Sequence, residues 1–128
     1  MAFLCPQCHK ATLEISERME LAADSWSDEI TLQAVACSAC GLRAAAAYEE
    51  SRRGALDSEA WHHTGYLLDP AAATALAGLI AQCPNPSQAG CACPAHAALG
   101  QVNSHGAWDG LRRSGIAIGG TFPMRYAG

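Results

Sequence analysis

The chain has 128 residues, half of them apolar, a formal charge of −4 and seven cysteines. That length fits one domain or two very small ones, and the acidic balance argues against sequence-independent nucleic-acid binding, which needs a basic face. The longest apolar run, Ala71 to Ala81, is too short to span a bilayer, and Met1 to Lys10 holds no apolar signal core, so the expected location is cytoplasmic.

In chain order, Cys5-Pro6-Gln7-Cys8 reads as a tight turn presenting two thiols. Leu13, Ile15, Met19 and Leu21 then alternate with polar residues, a period of two that predicts a half-buried strand, with Glu17 breaking the apolar face once. Ala22 to Glu29 is polar and predicts a loop. Ile30, Leu32, Ala34 and Ala36 alternate again and lead into Cys37-Ser38-Ala39-Cys40-Gly41, with Gly41 free to take positive φ. Leu42 to Tyr48 is assigned to a third strand, and the charged stretch Glu49 to Glu59 to a connector or short helix. Trp61 to Leu68 has strand character. Asp69-Pro70 is a helix start, with Asp69 as N-cap and Pro70 at the first helical position. The helix runs to about Gln82, with Leu76, Leu79, Ile80 and Cys83 on one face. A loop follows, then a short helix from Pro94 to Leu99 ended by Gly100. Trp108, Ile116, Ile118 and Phe122 imply that the Gly-rich end docks on the body.

The cysteine spacing carries the most specific signal. C-x-x-C, 28 residues, then C-x-x-C-G supplies four soft ligands in two pairs, with a hairpin between them to bring the pairs together. Seven is an odd number for a disulfide framework, and in a reducing compartment such pairs point to metal. Over residues 5–48 the pattern resembles the zinc-ribbon superfamily, which implies a structural zinc on Cys5, Cys8, Cys37 and Cys40. The spacing also resembles rubredoxin, a one-iron electron carrier. Rubredoxins carry aromatics soon after the first knuckle, where His9, Lys10, Ala11 and Thr12 stand here.

Cys83, Cys91, Cys93 and His96 form C-x₇-C-x-C-x₂-H, a complete set of four ligands. A helical turn puts Cys93 and His96 on one face, so a second zinc would staple the two helices. Both sets are closed, which leaves no open position for catalytic water.

Ser27-Asp28-Glu29, followed after seven residues by Cys37-x-x-Cys40-Gly41-x-Arg43, resembles the zinc ribbon of the transcript-cleavage factor of RNA polymerase II. The resemblance implies that Asp28 and Glu29 act at a hairpin tip and position metal in the polymerase. That family's tip arginine is replaced by Ser25, and its first knuckle lies nearer the acidic pair. Trp26 is a candidate interface anchor, and Arg112 and Arg113 are candidates for meeting an acidic partner. His62 and His63 are adjacent, so on a strand they face opposite ways and do not share a metal.

These readings combine into a small α+β chain: an antiparallel β zinc ribbon over 1–53, a short helical unit over 54–100 with its own zinc, and a docked segment over 101–128. With two Phe, three Trp and three Tyr, large core residues are scarce, so two structural zinc ions would carry much of the stability. The function expected is a non-enzymatic accessory or adaptor protein that docks on a larger protein. A transcription-associated ribbon and an iron electron carrier are the alternatives.

Overall fold

Residues 2–51 and 60–126 are described by the structure, a computed structural model. Five strands form one antiparallel sheet in sequence order: β1 (Leu13–Leu21), β2 (Glu29–Cys37), β3 (Arg43–Ser51), β4 (Ala60–Leu67) and β5 (Gly120–Pro123). Between β4 and β5 the chain makes helices α1 (Pro70–Gln82) and α2 (Pro94–Leu99) and a 3₁₀ turn at Arg112–Ser114. The architecture is therefore small and α+β.

The sheet extends beyond the three strands expected at the N-terminus. β4 pairs with β3 along its length, from Ala44↔Leu67 to Ser51↔Ala60, and β5 adds to the far edge of β4. Glu49, Glu50 and Ser51, expected in a connector, continue β3 because each has a partner in β4. The remainder of that connector, and the boundary placed at residue 53, lie outside the described residues.

The register explains why Glu17 interrupts the alternation. A β-bulge shifts the pairing between Ile15 and Glu17: Leu13 and Ile15 face Cys37 and Val35, whereas Met19 and Leu21 face Leu32 and Ile30. The extra residue moves the apolar side of β1 from one face of the sheet to the other. Each half of the strand thus feeds a different core layer. Leu13 joins Phe3, Val35, Ala44, Ala46, Phe122 and Met124 on one face. Met19 and Leu21 join Ile30, Leu32, Ala45, Ala47, Leu76, Leu99, Trp108 and Leu111 on the other.

β3 lies between these layers, and Ala44 to Ala47 are all buried. Alternate alanines point to opposite faces, so a run that also favours helix sits in a central strand buried on both sides. Gly65 of β4 is set by the same crowding, since a Cβ there would come within 2.3 Å of the Phe122 ring.

The helices start where local chemistry directs. The Asp69 carboxylate accepts from the Ala72 N–H at 2.7 Å and Pro70 opens α1. Cys93 caps α2, its Sγ accepting from the His96 N–H at 3.3 Å. The C-terminal segment enters the helical layer through Trp108, Leu111 and Ile116, and the Trp108 indole N–H donates to the Leu99 carbonyl at 2.8 Å. No helix among the described residues is long and apolar enough to cross a membrane.

Candidate metal centres

Two turns of the same design bring the first four cysteines together. In each, the residue after the second cysteine has left-handed backbone, His9 at φ 64° and Gly41 at φ 80°. In each, that residue's N–H donates back to the carbonyl of the first cysteine: His9 to Cys5 at 2.9 Å, Gly41 to Cys37 at 3.0 Å. The turns stand side by side because Leu13 and Cys37 are register partners in β1 and β2, so the hairpin fixes their separation.

The four sulfurs lie within 4.8 Å of one another, with Cys5 to Cys40 at 3.6 Å and Cys8 to Cys37 at 3.7 Å. A tetrahedron of sulfurs around a metal at about 2.3 Å has edges of roughly 3.8 Å, so the residues fit an ion of that size. Donors support the sulfur charge. The Gln7 N–H reaches Cys5 Sγ at 3.4 Å, the Gln7 side-chain amide reaches Cys40 Sγ at 3.3 Å, and the Thr12 hydroxyl reaches Cys37 Sγ at 3.0 Å. The Thr12 hydroxyl is the main reason the Cys37 thiol is held down at about 6, while burial pushes Cys5 up to about 11. Four thiolates this close repel one another strongly unless a cation neutralises them.

The second group is built from a loop and two helix ends. Cys83 follows the last turn of α1, and Cys93 and His96 sit at the start of α2. Their ligand atoms and Cys91 Sγ again lie within 4.8 Å of one another. Cys83 Sγ is 3.8 Å from Cys91 Sγ and 3.1 Å from His96 Nδ1, and Cys93 Sγ is 3.5 Å from the same nitrogen. A mixed sulfur and nitrogen tetrahedron has S–N edges of roughly 3.5 Å. The other ring nitrogen of His96 lies 2.8 Å from the Glu20 carbonyl. Carbonyls only accept, so Nε2 carries the proton and Nδ1 is the free lone pair, as in metal-ligating histidines oriented by a second partner. The backbone N–H of His96 is the largest influence holding Cys93 down at about 6, and burial pushes Cys83 up to about 11.

Both groups can hold a metal ion. No family model matches the chain, and no curated protein or solved structure is significantly similar to it.

The other sequence-predicted residues are scattered. Trp26 stands 59% exposed in the β1–β2 loop. That loop is braced: the Asp24 carboxylate accepts from the Trp26, Ser27 and Trp108 N–H groups, and Ser25 bonds to the 105–106 backbone. Asp28 and Glu29 are exposed; Glu29 opens β2, paired with Glu50, and Asp28 lies just before the strand with its N–H donating to the Glu50 carbonyl. Arg112 and Arg113 sit on the 3₁₀ turn. His62 is exposed, and half-buried His63 lies 2.7 Å from Gln33 Oε1 with its pKa lowered by burial.

Sequence reasoning missed Gln7, Thr12 and the Glu20 carbonyl as supports of the ligands, and His9 as the partner of Gly41. Only His9 had a readable signal, since it follows its second cysteine as Gly41 does.

Proposed function

We propose that the chain is a zinc-stabilised, non-enzymatic accessory protein that docks on a larger protein, with structural zinc in both centres and a zinc ribbon as its N-terminal half. The observation that carries the reading is the closure of both ligand sets: four protein ligands each, at the spacing of a tetrahedral ion. Closed four-ligand sites of cysteine and histidine are the structural type, whereas catalytic zinc keeps a position open for water. At the first centre the protein supplies four sulfurs and the donors that stabilise their charge. At the second it supplies three sulfurs and one nitrogen whose tautomer is set by the Glu20 carbonyl. When bound, zinc would cross-link these segments and neutralise the thiolates. All seven cysteines are free thiols, which suits a reducing compartment such as the cytoplasm.

The docking half of the proposal is supported by Trp26, a large amphipathic side chain held outward on a braced loop, with Asp28 and Glu29 beside it in sequence. Aromatic anchors of this kind carry much of the energy of protein interfaces. Elemental analysis with a visible spectrum tests the metal: two zinc per chain and no colour is expected, and iron with visible absorption would overturn it. Crosslinking from a photoreactive group at position 26 in cells tests the docking, and crosslinks to one larger protein are expected. Recovery of uncrosslinked monomer alone would overturn that half.

A further inference from the structure

A cleft of about 690 Å³ lies between the outer sheet edge and the C-terminal segment, lined by Tyr66, Asp109, Arg112, Arg113, Ile118 and Thr121. None of the eight candidate metal ligands contributes to it. Its floor is made by one cross-strand pair, Tyr66 of β4 and Thr121 of β5. Its wall is the 3₁₀ turn with both arginines.

That wall is rigid although its arginines are exposed. Leu111 and Ile116, on either side of the turn, are buried in the helical core layer, and the Ser114 hydroxyl donates to the Leu111 carbonyl. Gly110 has φ 106°, and a Cβ there would lie 3.8 Å from the Tyr66 hydroxyl, so the backbone sits directly against the phenol. Asp109 grips Arg113 at two points, both 3.2 Å, and accepts from the Asn103 amide at 3.2 Å. That grip orients Arg113 and consumes two of its donors. Arg112 has no ion pair or side-chain hydrogen bond among the described residues. Burial, with a smaller contribution from Glu49, pushes the Tyr66 phenol up, so its hydroxyl remains a donor at neutral pH.

A volume in the range of small-molecule sites, an uncommitted guanidinium, a second one already oriented and two hydroxyls form a donor-rich set around a partly apolar wall. We propose that this cleft binds a small organic oxyanion, a phosphate monoester or carboxylate, with its charged end on Arg112 and Arg113 and its body against Tyr66 and Ile118. The fork of an arginine matches two oxygens of either group, and the Tyr66 and Thr121 hydroxyls serve a third.

The test is an amide-detected NMR titration of the full-length, metal-loaded chain with phenyl phosphate, beside the neutral analogue benzyl alcohol. Saturable shifts centred on residues 109–121 are expected, absent with benzyl alcohol. R112Q should weaken binding by about tenfold or more while its spectrum elsewhere is unchanged, as for loss of a charge-assisted bidentate contact. T121V should weaken it severalfold. Shifts that do not saturate, or that R112Q leaves intact, overturn the proposal. So does a glutamate-rich peptide that binds the same amides more tightly than phenyl phosphate, because the occupant is then a protein side chain. Metal content measured on the same samples separates this result from the zinc reading, which stands or falls independently.

Discussion

Cys40 offers a clean test of whether the first centre is a metal centre, because it is the one exposed cysteine of the four. Replacing an exposed side chain outside any special structure changes stability by about 0.5 kcal/mol or less. Without a metal, the contacts at risk among the described residues are the 3.3 Å bond from the exposed Gln7 amide, which water can replace, and the weak 3.6 Å approach to Cys5 Sγ. If Cys40 Sγ holds a zinc ion, the cost is of another order. Structural zinc contributes about 10–16 kcal/mol of apparent binding free energy in small modules, so one ligand in four is worth roughly 3 kcal/mol. For a chain of this length that is a fall in melting temperature of roughly 10–15 °C. Differential scanning calorimetry on the metal-loaded parent and Cys40→Ala, each repeated after chelation, reads both values. The chelated proteins should melt together, since the substitution acts only through the metal. A loaded Cys40→Ala variant that melts within about 2 °C of the loaded parent would refute the assignment, because that is the effect of an ordinary surface change.

Further substitutions probe the supports. His9→Gly should raise stability by about 1 kcal/mol in chemical denaturation, since a non-glycine residue at φ 64° carries left-handed strain; a lower midpoint would show that the imidazole contributes more than the strain costs. Gly65→Ala should lower stability by about 1–3 kcal/mol, because its Cβ would have to displace the buried Phe122 ring; an unchanged melting temperature would contradict the crowding between β4 and β5. Glu49→Gln should stabilise the protein at pH 7 and flatten its pH profile. Burial, then the Asp24 charge, raises the Glu49 pKa above 4.5 in the folded state, so the unfolded carboxyl releases its proton first and parent stability falls as pH rises through that window. Melts of both proteins from pH 5 to 8 check this, and parallel curves would exclude it.

Much of the architecture was legible because local and global signals agree. Alternation in β1 and β2, the Asp69-Pro70 start of α1 and the Pro94 to Leu99 turn all describe single segments. The two ligand sets were legible because spacing limits how thiols can meet: a hairpin between two C-x-x-C turns, and a helix turn between Cys93 and His96. What escaped was set by neighbours distant in sequence. The bulge beside Glu17 reflects which core layer each half of β1 must fill, and only its pairing with β2 decides that. β5 is four residues long and exists because β4 presents an unpaired edge. The cleft beneath Arg112 and Arg113 arises from the packing of a late segment on Tyr66, which no local pattern encodes.

The bulge also clarifies why a chain of this size would hold two metal centres. By switching β1 from one face to the other, it divides the apolar residues of a thin, alanine-rich sheet into two separate layers. A buried alanine contributes about one methyl group, roughly 0.8 kcal/mol, where a leucine would contribute about two to three times that. The central strand β3 gives each layer alanines, Ala45 and Ala47 on one face and Ala44 and Ala46 on the other. The centres are distributed accordingly. Cys5 and Cys37 are members of the layer holding Phe3 and Phe122, with Cys8 packed against it. Cys83 belongs to the helical layer, with Cys91 and Cys93 packed against it. Each face of the sheet thus carries its own candidate cross-link. The second also ties α2 to β1 through His96 and Glu20, while the Pro86 carbonyl in its loop accepts the Glu20 N–H at 2.7 Å and covers the edge strand. Loss of metal from one centre should therefore loosen the layer that its cysteines belong to before the layer on the other face of the sheet.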